Sequence, residues 1–121
     1  MTGPVVVLLS TMDHPVSGRR VLARGIQAAC ELALRSGLDV VGLHAGDPGD
    51  AGLRGALHMG VPRIGVLPTP QGADPLDPVV AQLRQLRPTL VIAGQTVDGT
   101  EGTGMLPYRL GAALDAPVLA A

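Results

Sequence analysis

Residues 39–67, DVVGLHAGDPGDAGLRGALHMGVPRIGVL, hold a strand, a helix and a second strand in one short span. The first run, Asp39–Ala45, is apolar and partly β-branched, as a buried strand requires. The middle segment, DAGLRGALHMG, places Leu53, Ala56 and Leu57 at helical spacing and ends at Gly60, a residue suited to the left-handed turn that closes a helix. The third run, Arg63–Leu67, is again apolar and short. Two strands joined by a helix lie parallel, because the crossover returns the chain to the same edge of the sheet.

The same alternation extends outward in both directions. Upstream, Val5–Ser10 is another strand, followed by a stripe of Val21, Leu22, Ile26, Ala29, Cys30 and Ala33 at helical spacing, opened by Arg19 and Arg20. Downstream, Val79, Val80, Leu83 and Leu86 form a helical face before the strand Thr89–Gly94. A last helix carries Leu106, Leu110, Ala113 and Leu114 and leads to a fifth strand, Pro117–Ala121. The pattern predicts an α/β fold: a single doubly wound, five-stranded parallel sheet of order 3-2-1-4-5, Rossmann-like, with helices on both faces and residues 1–121 forming one domain. Pro68–Pro78 is Pro/Gly-rich and reads as a surface connection.

Composition agrees with a sheet packed from small side chains. The chain has 121 residues, 46% of them hydrophobic, yet no Phe or Trp and a single Tyr. Its core is therefore built from Val, Leu, Ile and Ala. The nine basic residues are all Arg against ten acidic ones, so the formal net charge is -1 and no basic surface is expected for nucleic acid or an anionic membrane. The one cysteine, Cys30, reads as a core residue in a reducing, cytoplasmic setting. The opening residues MTGPVVVLLSTMDHP show neither a targeting pattern nor a run long enough for membrane insertion.

In an open parallel sheet a ligand is expected beyond the carboxyl ends of the strands, where the strand order reverses. For order 3-2-1-4-5 the flanking loops are Ser10–Gly18 and Gln95–Gly104, which are rich in Ser, Thr, Asp and Gly. The second of these follows a strand and precedes a helix N-terminus, an arrangement suited to phosphate. Its glycines follow the order Gly99-x-x-Gly102-x-Gly104, which is neither the lysine-containing phosphate loop nor the dinucleotide GxGxxG. In this loop Asp98 and Glu101 are candidates for ribose hydroxyls and Thr100 and Thr103 for phosphate. Arg109 is the nearest basic residue in sequence. His14, His44 and His58 share no metal-ligand spacing and read as surface or core polar histidines. No nucleophile and base can be paired, so the chain is read as a binding protein rather than an enzyme.

The string AGQTVDGTEGTGMLPYRLGAALDAP resembles the nucleotide-binding segment of electron transfer flavoprotein β subunits. ELALRSGLDVVGLHAGDP, LRGALHMGVPRIGVLPT and DPVVAQLRQLRPTLVIAG are similar, in order, to that family's successive helix and strand units. The resemblance implies an electron-transfer protein that binds AMP and supports an FAD held with a partner α-like subunit, electrons arriving from a flavin dehydrogenase. It implies nucleotide contacts from Asp98, Gly99, Thr100, Glu101, Gly102, Thr103 and Gly104, and from the backbone of Leu8 and Ala45. The chain departs from the family in two places. The usual Asn-Pro-x-(Asp/Cys)-Glu corresponds to Ala23–Gln27, and the usual turn after strand one is STMDHP. Family β subunits also extend beyond this length, the further half carrying the loop that docks on dehydrogenases. An uncovered sheet edge is thus expected to make the chain a dimer or part of a heteromer. A free-standing, universal-stress-like adenine-nucleotide module is the alternative.

Overall fold

The computed structural model describes residues 3–70, 72–93 and 106–114. Along the chain run β1 (Val5–Leu8), β2 (Thr11–Asp13), β3 (Arg20–Leu22), α1 (Ile26–Arg35), β4 (Val40–Gly46), a single 3-10 turn at Ala51–Leu53, α2 (Arg54–Met59), β5 (Arg63–Pro68), α3 (Leu76–Leu86), β6 (Leu90–Ala93) and α4 (Leu106–Leu114). The main sheet has the order β5-β4-β1-β6 with every pairing parallel. That is the 3-2-1-4 part of the expected order. The strand predicted at Pro117–Ala121 lies outside the described residues.

The central strand shows how the sequence divides the core. Successive residues of a strand face opposite sides, so Val5, Val7 and Leu9 join α1 and α2 in one cluster, while Val6 and Leu8 join α3 and α4 in the other. Val6 and Val7 are completely buried, and each such valine stabilises the fold by about 1.5–3 kcal/mol of transfer free energy. The flanking strands follow the same rule: Ile64, Val66 and Ile92 face the first cluster, and Leu43, Leu67 and Val91 face the second. Helices therefore cover both faces. Cys30 is completely buried in α1, and burial pushes its thiol pKa up, which keeps it unreactive.

Five expectations from sequence are corrected here. The segment Ser10–Gly18, read as a loop, contains a strand, and Val21 and Leu22, read as the start of a helix, lie in its antiparallel partner: Thr11 pairs with Leu22, Met12 with Val21 and Asp13 with Arg20. Gly18 and Gly25, both at positive φ, break the chain on either side of this segment, which includes the β-branched Val21 and pairs with β2 instead. The first helix starts only at Ile26, so Arg19 and Arg20 belong to the hairpin and not to a helix N-terminus. Leu57, expected in the core, is 51% exposed, because α2 has six residues and offers only Ala56 to the interior. Ala113 of α4 is likewise exposed, whereas Leu110 is buried.

The closure of α2 matches the sequence. Gly60 adopts φ 106°, its N–H donates to Leu57 O, and the N–H of Val61 donates to Ala56 O. This double return of amides to the last turn is a Schellman motif, sealed by the buried Val61. It turns the chain directly into β5.

Candidate functional site: a cleft at the carboxyl ends of β1 and β4

A cleft of about 810 Å³ opens beyond the carboxyl ends of β1 and β4. Its walls come from Ser10 and Thr11, from Arg20 on the hairpin, from His44–Asp47 at the end of β4, and from Gly49–Ala51 and Thr69. The volume lies within the range of small-molecule sites. Asp50 organises this wall. Its Oδ1 accepts from the N–H of Gly52 at 2.9 Å and so caps the short 3-10 turn that leads into α2. Its Oδ2 accepts from Thr11 Oγ1 at 2.5 Å and from Arg20 NH2 at 3.0 Å. Arg20 also donates through NH1 to Asp13 across the hairpin, at 3.2 Å.

Burial opposes the charge on Asp50, whose side chain is only 8% exposed, but the Arg20, Thr11 and Gly52 donors outweigh it and hold the carboxyl at about 2. The same contacts with Asp50 and Asp13 raise the Arg20 guanidinium above its ordinary value. Asp50 is thus a fixed anion. Its acceptor positions are taken by both strands of the hairpin and by the 3-10 turn, so it ties the hairpin to the α2 entry.

His44 is the other buried polar group of the cleft, 7% exposed. Its Nδ1 lies 3.0 Å from Leu9 O, and since a carbonyl oxygen only accepts, Nδ1 carries the proton and donates. Nε2 then faces the cleft, 4.0 Å from Asp50 Oδ2. Gly46 stands beside it; a Cβ at that position would lie 2.7 Å from Nε2. Gly52 is similarly confined, since a Cβ there would meet Thr11 at 2.7 Å.

Of the residues nominated from sequence, Ala45 lines the cleft, and the side chain of Leu8 is packed in the core beneath α3 and α4. Asp98, Gly99, Thr100, Glu101, Gly102, Thr103 and Gly104 lie outside the described residues. Arg109 forms a bidentate pair with Asp74, at 2.6 and 3.1 Å. His14 sits in the hairpin turn, where its Nδ1 accepts from the N–H groups of Val16 and Ser17, away from the cleft wall. Thr11, Arg20, His44 and Asp50 were not nominated. One local signal existed: an Asp directly before AGL opens a helical turn.

The electrostatics of this wall are uneven. Asp47 and Asp50 line the cleft with a single guanidinium, that of Arg20, which is paired with Asp50 and with Asp13 beside the cleft. Among the described residues no group of three or more His, Cys, Asp or Glu side chains is arranged to hold a metal ion.

The electron transfer flavoprotein domain family matches residues 17–121, most of the chain and all but two of the cleft-lining residues. The chain belongs to the electron transfer flavoprotein family. A relative within it, the electron transfer flavoprotein subunit beta of Chromohalobacter salexigens, is 38% identical over 122 residues, covering 95% of this chain and 45% of that protein. The chain therefore spans under half the length of that relative. Among solved structures, a universal stress protein family protein from Arabidopsis thaliana with AMP bound superposes with a TM-score of 0.56 at 16% identity, covering 96% of this chain and 90% of the other. At that identity the likeness shows a shared fold. No helix among the described residues is long and apolar enough to cross a membrane.

Proposed function

We propose that the chain is the nucleotide-binding part of an electron transfer flavoprotein β-type subunit and binds AMP in the cleft beyond β1 and β4. The family match over residues 17–121 carries this reading. The cleft supports it physically: its volume suits a nucleotide, and Gly46, which has no side chain, lets the buried His44 imidazole lie against the end of β4 at the cleft wall. The adenosine lies against the backbone at Leu8 and the β4 terminus at Ala45. Its phosphate lies against Gly99, Thr100, Glu101, Gly102, Thr103 and Gly104, held by backbone N–H groups and the N-terminus of α4, with Asp98 on a ribose hydroxyl.

The redox chemistry belongs to FAD, held chiefly by an α-like partner subunit, with a flavin dehydrogenase as electron donor. The role of this chain is to bind and orient rather than to catalyse. A soluble, cytoplasmic complex fits this role. The likeness to an AMP-bound universal stress protein over nearly the whole chain favours a second reading, a free-standing AMP-binding module.

Natively purified protein separates the two. A yellow complex with an α-type partner supports the first, and a colourless species with bound nucleotide and no partner supports the second. Calorimetry with AMP tests the loop: Gly102→Val is expected to lower affinity at least tenfold by placing a side chain against the phosphate, and Asp98→Ala to weaken adenosine more than inorganic phosphate. Equal affinities in wild type and both variants would remove the loop from the site.

A further inference from the structure

We infer that His44 is a specificity-determining residue, its Nε2 accepting a hydrogen bond from a neutral donor on the nucleoside moiety of the ligand, either the exocyclic amine of a purine or a hydroxyl of its sugar. This rests on the nucleotide reading given above and names the part of the ligand that meets the β4 end of the cleft.

Three observations carry it. First, His44 is 7% exposed and its Nδ1–H is committed to Leu9 O, so in the neutral ring Nε2 presents a lone pair. Among the described residues Nε2 has no hydrogen-bond partner; Asp50 Oδ2 is 4.0 Å away and is itself an acceptor. A buried acceptor without a donor is costly, and a ligand N–H or O–H relieves that cost. Second, the ring can hold this position only because residue 46 is glycine, since a Cβ there would stand 2.7 Å from Nε2 and force the imidazole to move. Third, the surrounding charge selects the kind of group. Asp47 and Asp50 line the cleft against Arg20 alone, and that guanidinium is already paired with Asp50 and Asp13. A phosphate would meet both a lone pair and net negative charge, whereas a neutral donor meets a complementary acceptor. The phosphate is thereby directed to the opposite end of the ligand.

Asp50 acts through its neighbours as a positioning residue. By holding Thr11, Arg20 and the Gly52 amide it keeps the wall opposite Nε2 in place and keeps the Arg20 cation from turning toward the ligand.

The test is calorimetry on the full chain with AMP, adenosine, purine riboside, which lacks the amine, and 2′- and 3′-deoxyadenosine. Wild type is expected to bind adenosine about three- to tenfold more tightly than one of the three analogues, the magnitude of one net hydrogen bond, and the analogue that suffers identifies the donor. In His44→Phe adenosine and AMP both lose that factor, while the affected analogue is unchanged, so discrimination disappears. Gly46→Ala, whose Cβ would press on the imidazole and displace Nε2, is expected to reproduce the loss for adenosine, and thermal melting verifies its fold. If His44→Phe does not fold, the analogue series and Gly46→Ala decide. Undiminished discrimination in His44→Phe or Gly46→Ala, or equal wild-type affinity for adenosine and all three analogues, overturns the inference while leaving AMP binding intact. A larger loss for AMP than for adenosine in His44→Phe overturns it as well, by placing the phosphate at the imidazole. Failure of wild type to bind either AMP or adenosine refutes the nucleotide reading, and the inference falls with it.

Discussion

Two Arg–Asp pairs on opposite faces of the sheet use the same chemistry in different surroundings. Arg109 grips Asp74 through both terminal nitrogens, yet the two side chains are 43% and 55% exposed. Arg20 holds Asp50 at 3.0 Å, and there the carboxylate is 8% exposed and also accepts from Thr11 and the Gly52 amide. The bidentate geometry favours the first pair, but solvent screens it, and each partner is well hydrated when apart. The second pair is set in a network centred on a carboxylate that is nearly closed to water, although the Arg20 side chain itself is 41% exposed. Burial and shared partners, more than the geometry of the pair itself, decide how strongly an ion pair fixes structure.

The largest expected effect comes from removing the buried carboxylate. Asp50→Ala deletes the cap of the 3-10 turn and strips Thr11 and Arg20 of their common acceptor, which should lower the unfolding free energy by about 3 kcal/mol in a urea titration. Asp74→Ala, in the same titration, is expected to leave the midpoint within the scatter of the wild type. A comparable loss in both variants would break the contrast.

Acid titration sharpens it. Folding lowers the Asp50 carboxyl to about 2, below its ordinary value, so its contribution is fully present above the unfolded value and is lost as pH falls through the folded one. Wild-type stability should therefore fall by about 2 kcal/mol between roughly pH 5 and pH 2 on account of this group. Asp50→Asn, which keeps an oxygen for the Gly52 amide, should lack that part of the slope. Asp74 is also lowered, chiefly by Arg109, but its slope is expected to be smaller, because the group is exposed.

The smallest effect concerns salt. Double-mutant cycles at 1 M salt, where screening acts within about 3 Å, should erase the coupling of Arg109 with Asp74 and retain that of Arg20 with Asp50.

The sequence reading succeeded where the cause is local. Helix α3 was expected to present Val79, Val80, Leu83 and Leu86 to the core; the first three are buried and Leu86 is partly buried against them, because an amphipathic stripe needs only neighbours three and four residues apart. It failed at Val21 and Leu22, whose spacing fits a helix equally well, because two flanking glycines and a partner strand ten residues away in sequence decide the conformation. Leu57 failed differently. Its helix has too few turns to bury a second row, a property of the neighbouring elements rather than of the heptad around it.

The sequence by itself determined the parallel sheet and the division of its core. The alternation of Val5, Val7 and Leu9 with Val6 and Leu8 commits one strand to two buried faces, and that commitment requires helices on both sides. Only the tertiary structure decided the wall of the cleft. Thr11 meets Asp50 across 39 residues, Arg20 meets it across 30, and His44 finds Leu9 across 35. Periodicity acts within a few residues of chain, whereas these contacts exist because β1 and β4 are hydrogen-bonded neighbours whose carboxyl ends emerge side by side.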